Sequence, residues 1–443
     1  MPDLTQRIDE EQLRDWLSQQ RWYASKTREL TGIEIMEQAE LEEGLVLAFV
    51  MARFATGTHD LYQVPIAIDD GVVAFDALVE PAHARALLRR IESGEDVLTA
   101  EGRFSFRSVG SLPEFEDGPE ARPVEKEQSN SSLVFDDQLV LKVFRKLEAG
   151  INPELEMLRF LTGREYRNIA PLRGWYEYEG QSLNATLGVA QDFVPDGIDG
   201  WTLALDEVPS DPERFLERLE QLGTVTAELH NTLATDPIDP AFSPEEPSTE
   251  SLSLLRATID EAIEQTFLRL PENNELLAPI LGRGPEVQEH LAMRSQIGTG
   301  GKHIRIHGDY HLGQTLSTPR GWVILDFEGE PARPLPERRG KRSPLRDVAS
   351  MLRSFAYVAS AVALQRGEPV PEDFENRARD RFLQVYFAVI DRGLLPPGDA
   401  AIANVLAVYE LEKAIYELTY ELDNRPDWVQ IPVACIVRLL EET

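Results

Sequence analysis

The densest run of chemically capable side chains lies between Ile306 and Glu328. His307-Gly308-Asp309 is followed, five residues after the aspartate, by Gln314, and then by Asp326-Phe327-Glu328. The apolar run Trp322–Leu325 reads as a strand that delivers Asp326 and Glu328 at its C-terminal end. Moving a phosphoryl group asks little of a protein: a carboxylate to orient or deprotonate the attacking hydroxyl, and hard oxygen ligands for a Mg²⁺ that bridges phosphates. Asp309 suits the first role, and Gln314, Asp326 and Glu328 suit the second. A polar turn between two strands would explain His-Gly-Asp alone, but not the further oxygen ligands that follow it. Zinc fits poorly, because His307 and His311 stand in a loop-like segment, among hard ligands and without an evident third partner.

The order of these residues matches the protein-kinase pattern H-R-D-x-x-x-x-N followed by D-F-G, in composition and in spacing. That chemistry makes a demand upstream, for a lysine on a strand and a carboxylate on the next helix. Lys142 lies in Leu139–Phe144, an apolar strand where a lone cation needs a reason, and the helix near Pro153–Leu161 offers Glu154 and Glu156. Taken alone, Lys142 also suits an exposed edge. Ahead of the strand pair, Gln128-Ser129-Asn130-Ser131-Ser132 form a polar turn whose backbone N–H groups can cradle phosphates, although it has no glycine.

The elements that must hold these groups follow from the pattern around them. An amphipathic helix from Glu10 to about Gln20 leads into QQRWYASKTREL, and alternating runs near Leu45–Ala52 and Leu61–Ile68 read as paired strands. A helix near Ala82–Glu92 precedes Ser111–Glu125, a linker rich in proline, glycine and acid. The next segment reads strand, turn, strand, helix, with a further strand pair near Gly174–Glu179 and Ala185–Phe193. From Trp201 the pattern is mostly helical. We therefore expect an α+β chain, with a small β-rich lobe followed by a helical one.

Two features of the helical part concern a substrate. Arg333, Arg338, Arg339, Lys341, Arg342 and Arg346 crowd into fourteen residues, either as a solvated charge run or as a loop facing anionic phosphates. Ser343-Pro344 reads as the N-cap and first position of the next helix, and Asp347 either sits in its first turn or ties down the backbone of the Asp309 loop. The helix Tyr409–Leu422 carries an aliphatic stripe of Leu411, Ile415, Leu418 and Leu422, which should face the core. A second stripe holds Tyr409, Lys413, Tyr416 and Tyr420, beside Glu410, Glu417 and Glu421. Rings flanked by charged groups suit a sugar, although an ordinary helix packed on both sides by tyrosines has the same pattern.

Composition narrows the classes. The chain has 443 residues and a formal net charge of −33, which repels a phosphate backbone and argues against nucleic-acid binding. Its one cysteine, Cys435, allows no internal disulfide and no thiolate metal cluster. The apolar runs are core-sized, and the N-terminus lacks the pattern of a secretory signal, so we expect a cytoplasmic protein with no membrane partner.

The chain resembles the actinobacterial-type maltokinases, ATP-dependent enzymes that make maltose 1-phosphate. The resemblance rests on QQRWYASKTREL, QSNSSLVFDDQLVLKVFRKLEAGINPELE, QDFVPDGIDGW, HGDYHLGQTL, ILDFEGEPARPLPERRGKRSPLRDVASMLRSFAYVA and KAIYELTYELDNRPDW, spread from residue 19 to residue 428. The HGD and DFE motifs belong to all aminoglycoside-phosphotransferase-like kinases; QQRWYASK, EPARPLPERRGKRSPLRD and YELDNRPDW are more particular. The resemblance implies a bilobal protein-kinase-like fold with a cap subdomain over residues 1–110, an ATP-binding lobe over 111–200 and a helical lobe over 201–443. It implies Asp309 as the catalytic carboxylate, with Gln314, Asp326 and Glu328 at Mg²⁺. For ATP it implies Ser129, Asn130, Ser131 and Ser132 at the phosphates, and Lys142 paired with Glu156. Gln191, Phe193 and Val194 would form the hinge that reads adenine. His311, Arg333, Lys413, Tyr416, Glu417 and Tyr420 are the candidate contacts of the maltose acceptor. It also implies a place in glycogen or α-glucan synthesis, with maltose supplied by a separate trehalose synthase; we expect a monomer. The rival readings are a kinase of the same fold acting on glucosamine or an aminoglycoside, which Glu410, Glu417 and Glu421 could serve, and a pseudokinase that only binds.

Overall fold

The computed structural model describes residues 8–69, 72–115, 120–124, 129–297 and 301–442. Gln128 and residues 116–119 and 125 of the expected linker lie outside the described residues. The chain forms two compact units, Met1–Asp196 and Gly197–Thr443.

Asp9 opens the first unit by accepting the amide protons of Glu11 and Gln12, which caps helix α1 (Glu10–Gln19) and turns Leu13 and Leu17 inward. The helix packs on an antiparallel sheet of β1 (Leu30–Glu42), β2 (Leu45–Phe54), β3 (His59–Asp69) and β4 (Val72–Phe75). Strand β2 reads LVLAFVMARF because both of its faces are covered. Val46, Ala48, Val50 and Ala52 join Leu13, Leu17, Trp22 and Tyr23 on one side. On the other, Leu45, Leu47 and Phe49 join Leu87, Leu88 and Ile91 of helix α2 (Pro81–Ser93). The sequence reading passed over β1: it pairs with β2 alone, and its LTGIEIMEQAELE presents glutamates to solvent instead of a clear apolar face.

The chain continues through β5 (Val97–Leu98), β6 (Gly102–Ser108), β7 (Ala121–Pro123), β8 (Ser131–Phe135), β9 (Leu139–Val143), β10 (Lys146–Leu147), α3 (Pro153–Gly163), β11 (Leu172–Gly180) and β12 (Asn184–Asp192). Among the described residues a second sheet runs in the order β5-β6-β11-β12-β9-β8-β7, while β10 crosses over to pair with β3. Phe104, Phe106, Tyr176 and Tyr178 of this sheet share one core with α2 and β2. The crossing is stitched by Gln63, fully buried, whose backbone N–H donates to Arg145 O at 2.9 Å and whose side-chain amide donates to Phe144 O at 2.6 Å. Its side-chain oxygen takes the Tyr176 hydroxyl at 3.1 Å, so the buried amide is satisfied on both ends.

The second unit holds a small sheet of β13 (Ile198–Asp199), β14 (Thr315–Thr318) and β15 (Gly321–Ile324) within helices. These are α4 (Gly200–Ser210), α5 (Pro212–Leu233), α6 (Thr249–Leu268), α7 (Gly284–Ile297), α8 (Leu335–Arg338), α9 (Leu345–Ala361), α10 (Phe374–Val389), α11 (Asp399–Asn424) and α12 (Gln430–Glu441). Leu411, Ile415 and Leu418 of α11 pack with α6, α7 and α12, as their spacing required. Helix α11 starts well before Tyr409, and α9 starts at Leu345, so Pro344 takes the capping place expected for Ser343. The helical stretch Leu345–Arg366 is apolar enough by composition to cross a membrane, but 67% of its window is buried inside the unit, which marks a core helix. Cys435 is free and buried in the same core.

Candidate active site

In the first unit, Lys142 lies on the central part of β9 with 6% exposure, so it is no edge lysine. Its Nζ pairs with Glu154 Oε2 at 2.6 Å, where the resemblance pointed to Glu156. Glu154 stands in the first turn of α3, where its backbone N–H donates to the Asn152 cap at 2.8 Å, and Glu156 stands in the same turn. Both glutamates are buried. Ser129–Ser132 enter β8, with Asn130 and Ser132 buried and Ser131 Oγ taking a hydrogen bond from Arg145 Nε at 2.7 Å. Gln191 lies one residue before the end of β12, paired with Val140 of β9, and Phe193 N–H donates to Gln138 O at 2.9 Å, with Val194 beyond it.

The Arg145 contact also explains the QQRWYASKTREL run. Arg145 is 1% exposed, forms a bidentate pair with Asp76 at 2.8 Å and lies 5.0 Å from the Trp22 ring centre. Ser25 Oγ, Arg28 and Lys146 all converge on Asp60, at 2.6, 3.0 and 3.0 Å. The N-terminal sheet thus grips the corner that follows Lys142.

In the second unit the Asp309 loop is built around a buried carboxylate. Asp347 Oδ2 accepts from His307 N at 2.7 Å and Oδ1 from Gly308 N at 2.9 Å. Two successive amides can aim at one carboxylate because Gly308 adopts φ +86°. His230 Nε2 lies 3.2 Å from Asp347 Oδ2 and its Nδ1 lies 3.0 Å from the Tyr386 hydroxyl, so Nε2 carries the proton and Nδ1 accepts. Burial alone would raise the Asp347 carboxyl, but the hydrogen bonds from His230 and from the Gly308 amide hold it below the ordinary range. His307 contacts Leu325 O at 2.8 Å through Nε2 and takes the Asp309 amide at 3.3 Å through Nδ1. Both of its nitrogens are thus spent on backbone, which removes the zinc reading.

Strand β15 delivers Asp326 as expected, and Gln314 Nε2 donates to Asp326 Oδ2 at 2.9 Å. The pair brings an amide oxygen and a carboxylate together, hard donors of the kind that fit Mg²⁺. Asp326 holds φ +61°, a left-handed conformation uncommon outside glycine that re-aims its carboxylate at the strand end. Glu328 follows, half-buried.

Lys413 Nζ lies 3.7 Å from Asp309 Oδ1 and 3.3 Å from Glu330 Oε1. Burial disfavours its charge, yet Glu330 and Asp309 outweigh burial and raise its pKa, so it stays a cation. Burial pulls His311 below its ordinary value and keeps it neutral, 3.9 Å from Asp309. A cavity of about 300 Å³ is lined by Trp201, His311, Tyr357, Lys413, Glu417 and Arg425, among others.

The arginine run is not a solvated one. Arg333 and Arg346 both bind Glu330 and Glu412, at 2.5 to 3.4 Å, and Lys341 binds Glu245 at 3.1 Å. The carboxylates of α11 are also committed. Glu410 is held by Arg379 at 2.7 Å and by Arg438, Glu417 by Arg353 at 2.8 Å, and Glu421 by Arg425 at 2.6 Å and the Tyr357 hydroxyl at 2.9 Å. Tyr416 and Tyr420 are exposed, 53% and 46%, while Tyr409 is buried.

Sequence reasoning passed over His230, Glu330, Glu412 and the serines Ser350 and Ser354. His230 lies on the buried face of α5, and the serines fall one helical turn apart on α9, a spacing that gave the only available signal.

Comparison with known proteins adds a family. A model described as the maltokinase N-terminal cap domain matches residues 16–94, and one described as the phosphotransferase enzyme family matches residues 120–383. A glucosamine kinase from Mycolicibacterium smegmatis is 28% identical over 336 residues, 72% of this chain and 80% of the relative. One from Streptacidiphilus jiangxiensis is 27% identical over 259 residues, 56% of this chain and 57% of that protein. Among solved structures, a glucosamine kinase (crystal form B) aligns with a TM-score of 0.75 at 21% identity, over 96% of this chain and 97% of the other. A glucosamine kinase in complex with glucosamine, ADP and inorganic phosphate aligns with 0.73 at 20% identity, over 94% and 96%. The shared fold is kinase-like, with a cap ahead of a β-sheet region and a helical C-terminal part.

Proposed function

Because the chain belongs to the phosphotransferase enzyme family, we propose that it transfers the γ-phosphoryl group of ATP to the anomeric hydroxyl of maltose, giving maltose 1-phosphate and ADP. The observation that carries the choice of acceptor is the charge beside Asp309. Lys413 stands 3.7 Å from it as a cation, and the α11 carboxylates that an amine acceptor would need are bound to arginines. Such a site favours a neutral, hydroxyl-rich sugar over an ammonium. The maltokinase cap domain over residues 16–94 supports maltose in particular.

In this reading Asp309 orients the attacking hydroxyl and takes its proton as the oxygen bonds to the γ-phosphorus; the bridging P–O bond breaks and ADP leaves with the electron pair. Lys142, held by Glu154, offsets charge on the phosphates, and Ser129–Ser132 offer backbone N–H groups to them. Gln314 and Asp326, with Glu328, would hold a Mg²⁺, which when bound neutralises charge on the phosphate oxygens. His311, Arg333, Lys413, Tyr416, Glu417 and Tyr420 remain the proposed acceptor side, with Arg333 acting through Glu330 and Glu412. Maltose would come from a separate enzyme that isomerises trehalose, in the cytoplasm where ATP is made.

A second reading has its own support, since the named relatives are glucosamine kinases. The test is ADP release by the purified protein with ATP, with and without Mg²⁺, against maltose, glucose, glucosamine, trehalose and kanamycin. Turnover that requires Mg²⁺ and prefers maltose supports the proposal. A preference for glucosamine replaces the acceptor and keeps the kinase. Equal rates without Mg²⁺ contradict the mechanism.

A further inference from the structure

Two cavities of the second unit meet at two shared side chains. The larger, of about 300 Å³, and a smaller one, of about 40 Å³, are both lined by Ser350 and Lys413. A water molecule in the liquid claims about 30 Å³, so the smaller cavity has room for one water or one hydroxyl. Its charged walls are Arg333, Arg346 and Lys413 against Glu330 and Glu412, three cations to two carboxylates. These five groups pair among themselves, and Lys413 also meets Asp309 at 3.7 Å and Arg333 meets Glu337 at 3.3 Å, so the charges around the smaller cavity are balanced and held in place.

Ser350 and Ser354 lie one turn apart on α9, and both line the larger cavity. Ser354 meets the cost of burial inside its own helix by donating to Met351 O at 2.7 Å. Ser350 does not: its Oγ is buried and has no hydrogen-bond partner among the described residues. A helical serine has the carbonyl four residues back within reach, so a buried hydroxyl left without that bond, at the junction of two cavities, is set for a partner from outside the chain.

We infer that Ser350 is the residue that reads one hydroxyl of the acceptor, where the two cavities meet. The inference rests on the reading of this site as the acceptor side of a sugar phosphotransferase. A sugar hydroxyl both accepts and donates, so it can bond to the serine or Lys413 and to a carboxylate wall at once. Ser350 touches no reacting atom in this account; it sets which sugar is held and how.

The experiment compares wild type with S350A, which removes the hydroxyl, and with S350C, which puts a larger and much weaker hydrogen-bonding group in its place. The readouts are KM for the sugar that wild type turns over, KM for ATP, and calorimetric binding of that sugar and its monodeoxy analogues without nucleotide. We expect both variants to lose about tenfold in sugar KM and binding, the scale of one hydrogen bond, with ATP KM unchanged. For one monodeoxy sugar the variants should bind as well as wild type, which identifies the hydroxyl. Equal losses for every monodeoxy sugar, or S350C binding as wild type, would overturn the role of Ser350 while leaving the kinase intact. A wild-type protein that turns over none of the sugars fails the underlying reading and takes this inference with it.

Discussion

The Asp347 carboxylate accepts the His307 amide at 2.7 Å from forty residues further along the chain, and so anchors the Asp309 loop to the first turn of α9. Its other oxygen holds Gly308 at 2.9 Å, and His230 closes the network from α5. A loop with its amides fixed by one buried anion cannot drift, and a catalytic carboxylate needs that constancy.

Asp347→Asn tests the anchor. The amide keeps one accepting oxygen but turns an NH₂ group toward a backbone N–H or toward His230, leaving a buried donor without an acceptor. Breaking a buried charged network costs roughly 3–5 kcal/mol, so the urea midpoint should fall clearly and turnover should fall with it. A variant with wild-type midpoint and turnover would show that the loop is held by other means.

Asp309→Asn should lower turnover by about 10²–10⁴-fold, the range of general-base catalysis, while nucleotide binding stays close to wild type. Single-turnover kinetics and ADP titration separate the two. Turnover within a few-fold of wild type would take the proton-accepting role away from Asp309.

Glu154 and Glu156 give a sharper comparison, because both are buried on α3 and one of them pairs with Lys142 at 2.6 Å. Glu154→Gln should raise the ATP KM by about tenfold, the scale of a lost charge-assisted hydrogen bond. Glu156→Gln should leave the ATP KM much closer to wild type. The reverse ranking would mean that the lysine changes partner when nucleotide binds.

That pair also marks where the sequence was legible. Lys142 was readable because a lone cation in Leu139–Phe144 breaks the apolar pattern, and Asp309, Gln314 and Asp326 because their spacing is set by a loop and a hairpin, both local. The choice of Glu154 over Glu156 depends on how α3 docks on β9, which no local pattern encodes. Likewise, Leu411, Ile415 and Leu418 announced the core face of α11, yet Glu410, Glu417 and Glu421 looked like sugar contacts because their arginines come from α9, α10, α12 and the segment after α11. Asp347 was readable as a possible anchor; His230, which completes it, lies over a hundred residues upstream and left no mark beyond one histidine in an apolar stripe. Periodicity shows which face is buried. It does not show what that face meets.

The last prediction concerns acid. Glu410 is buried between Arg379 and Arg438; burial pushes its carboxyl up, but the two guanidiniums outweigh burial and hold it below its ordinary value of 4.5. A folded-state pKa below the unfolded one gives stability that is fully present above about pH 4.5 and is lost as pH falls through the folded value. Asp347 adds to the same limb, being lowered from 3.8, whereas Glu417 opposes it, since burial raises its pKa. His290 and His303, which burial pushes below 6.5, begin the loss earlier, as the pH drops under that value. Relief of the −33 net charge works in the opposite direction, but it acts nearly equally on a single-site variant and on wild type. Glu410→Gln should therefore cost roughly 3 kcal/mol at pH 7, where two half-buried arginines lose their buried anion, and progressively less from pH 4.5 downward. Urea midpoints of both proteins at pH 7, 5, 4 and 3 check this: the gap between them should close in acid, and a gap of constant size would show that Glu410 contributes packing and no charge.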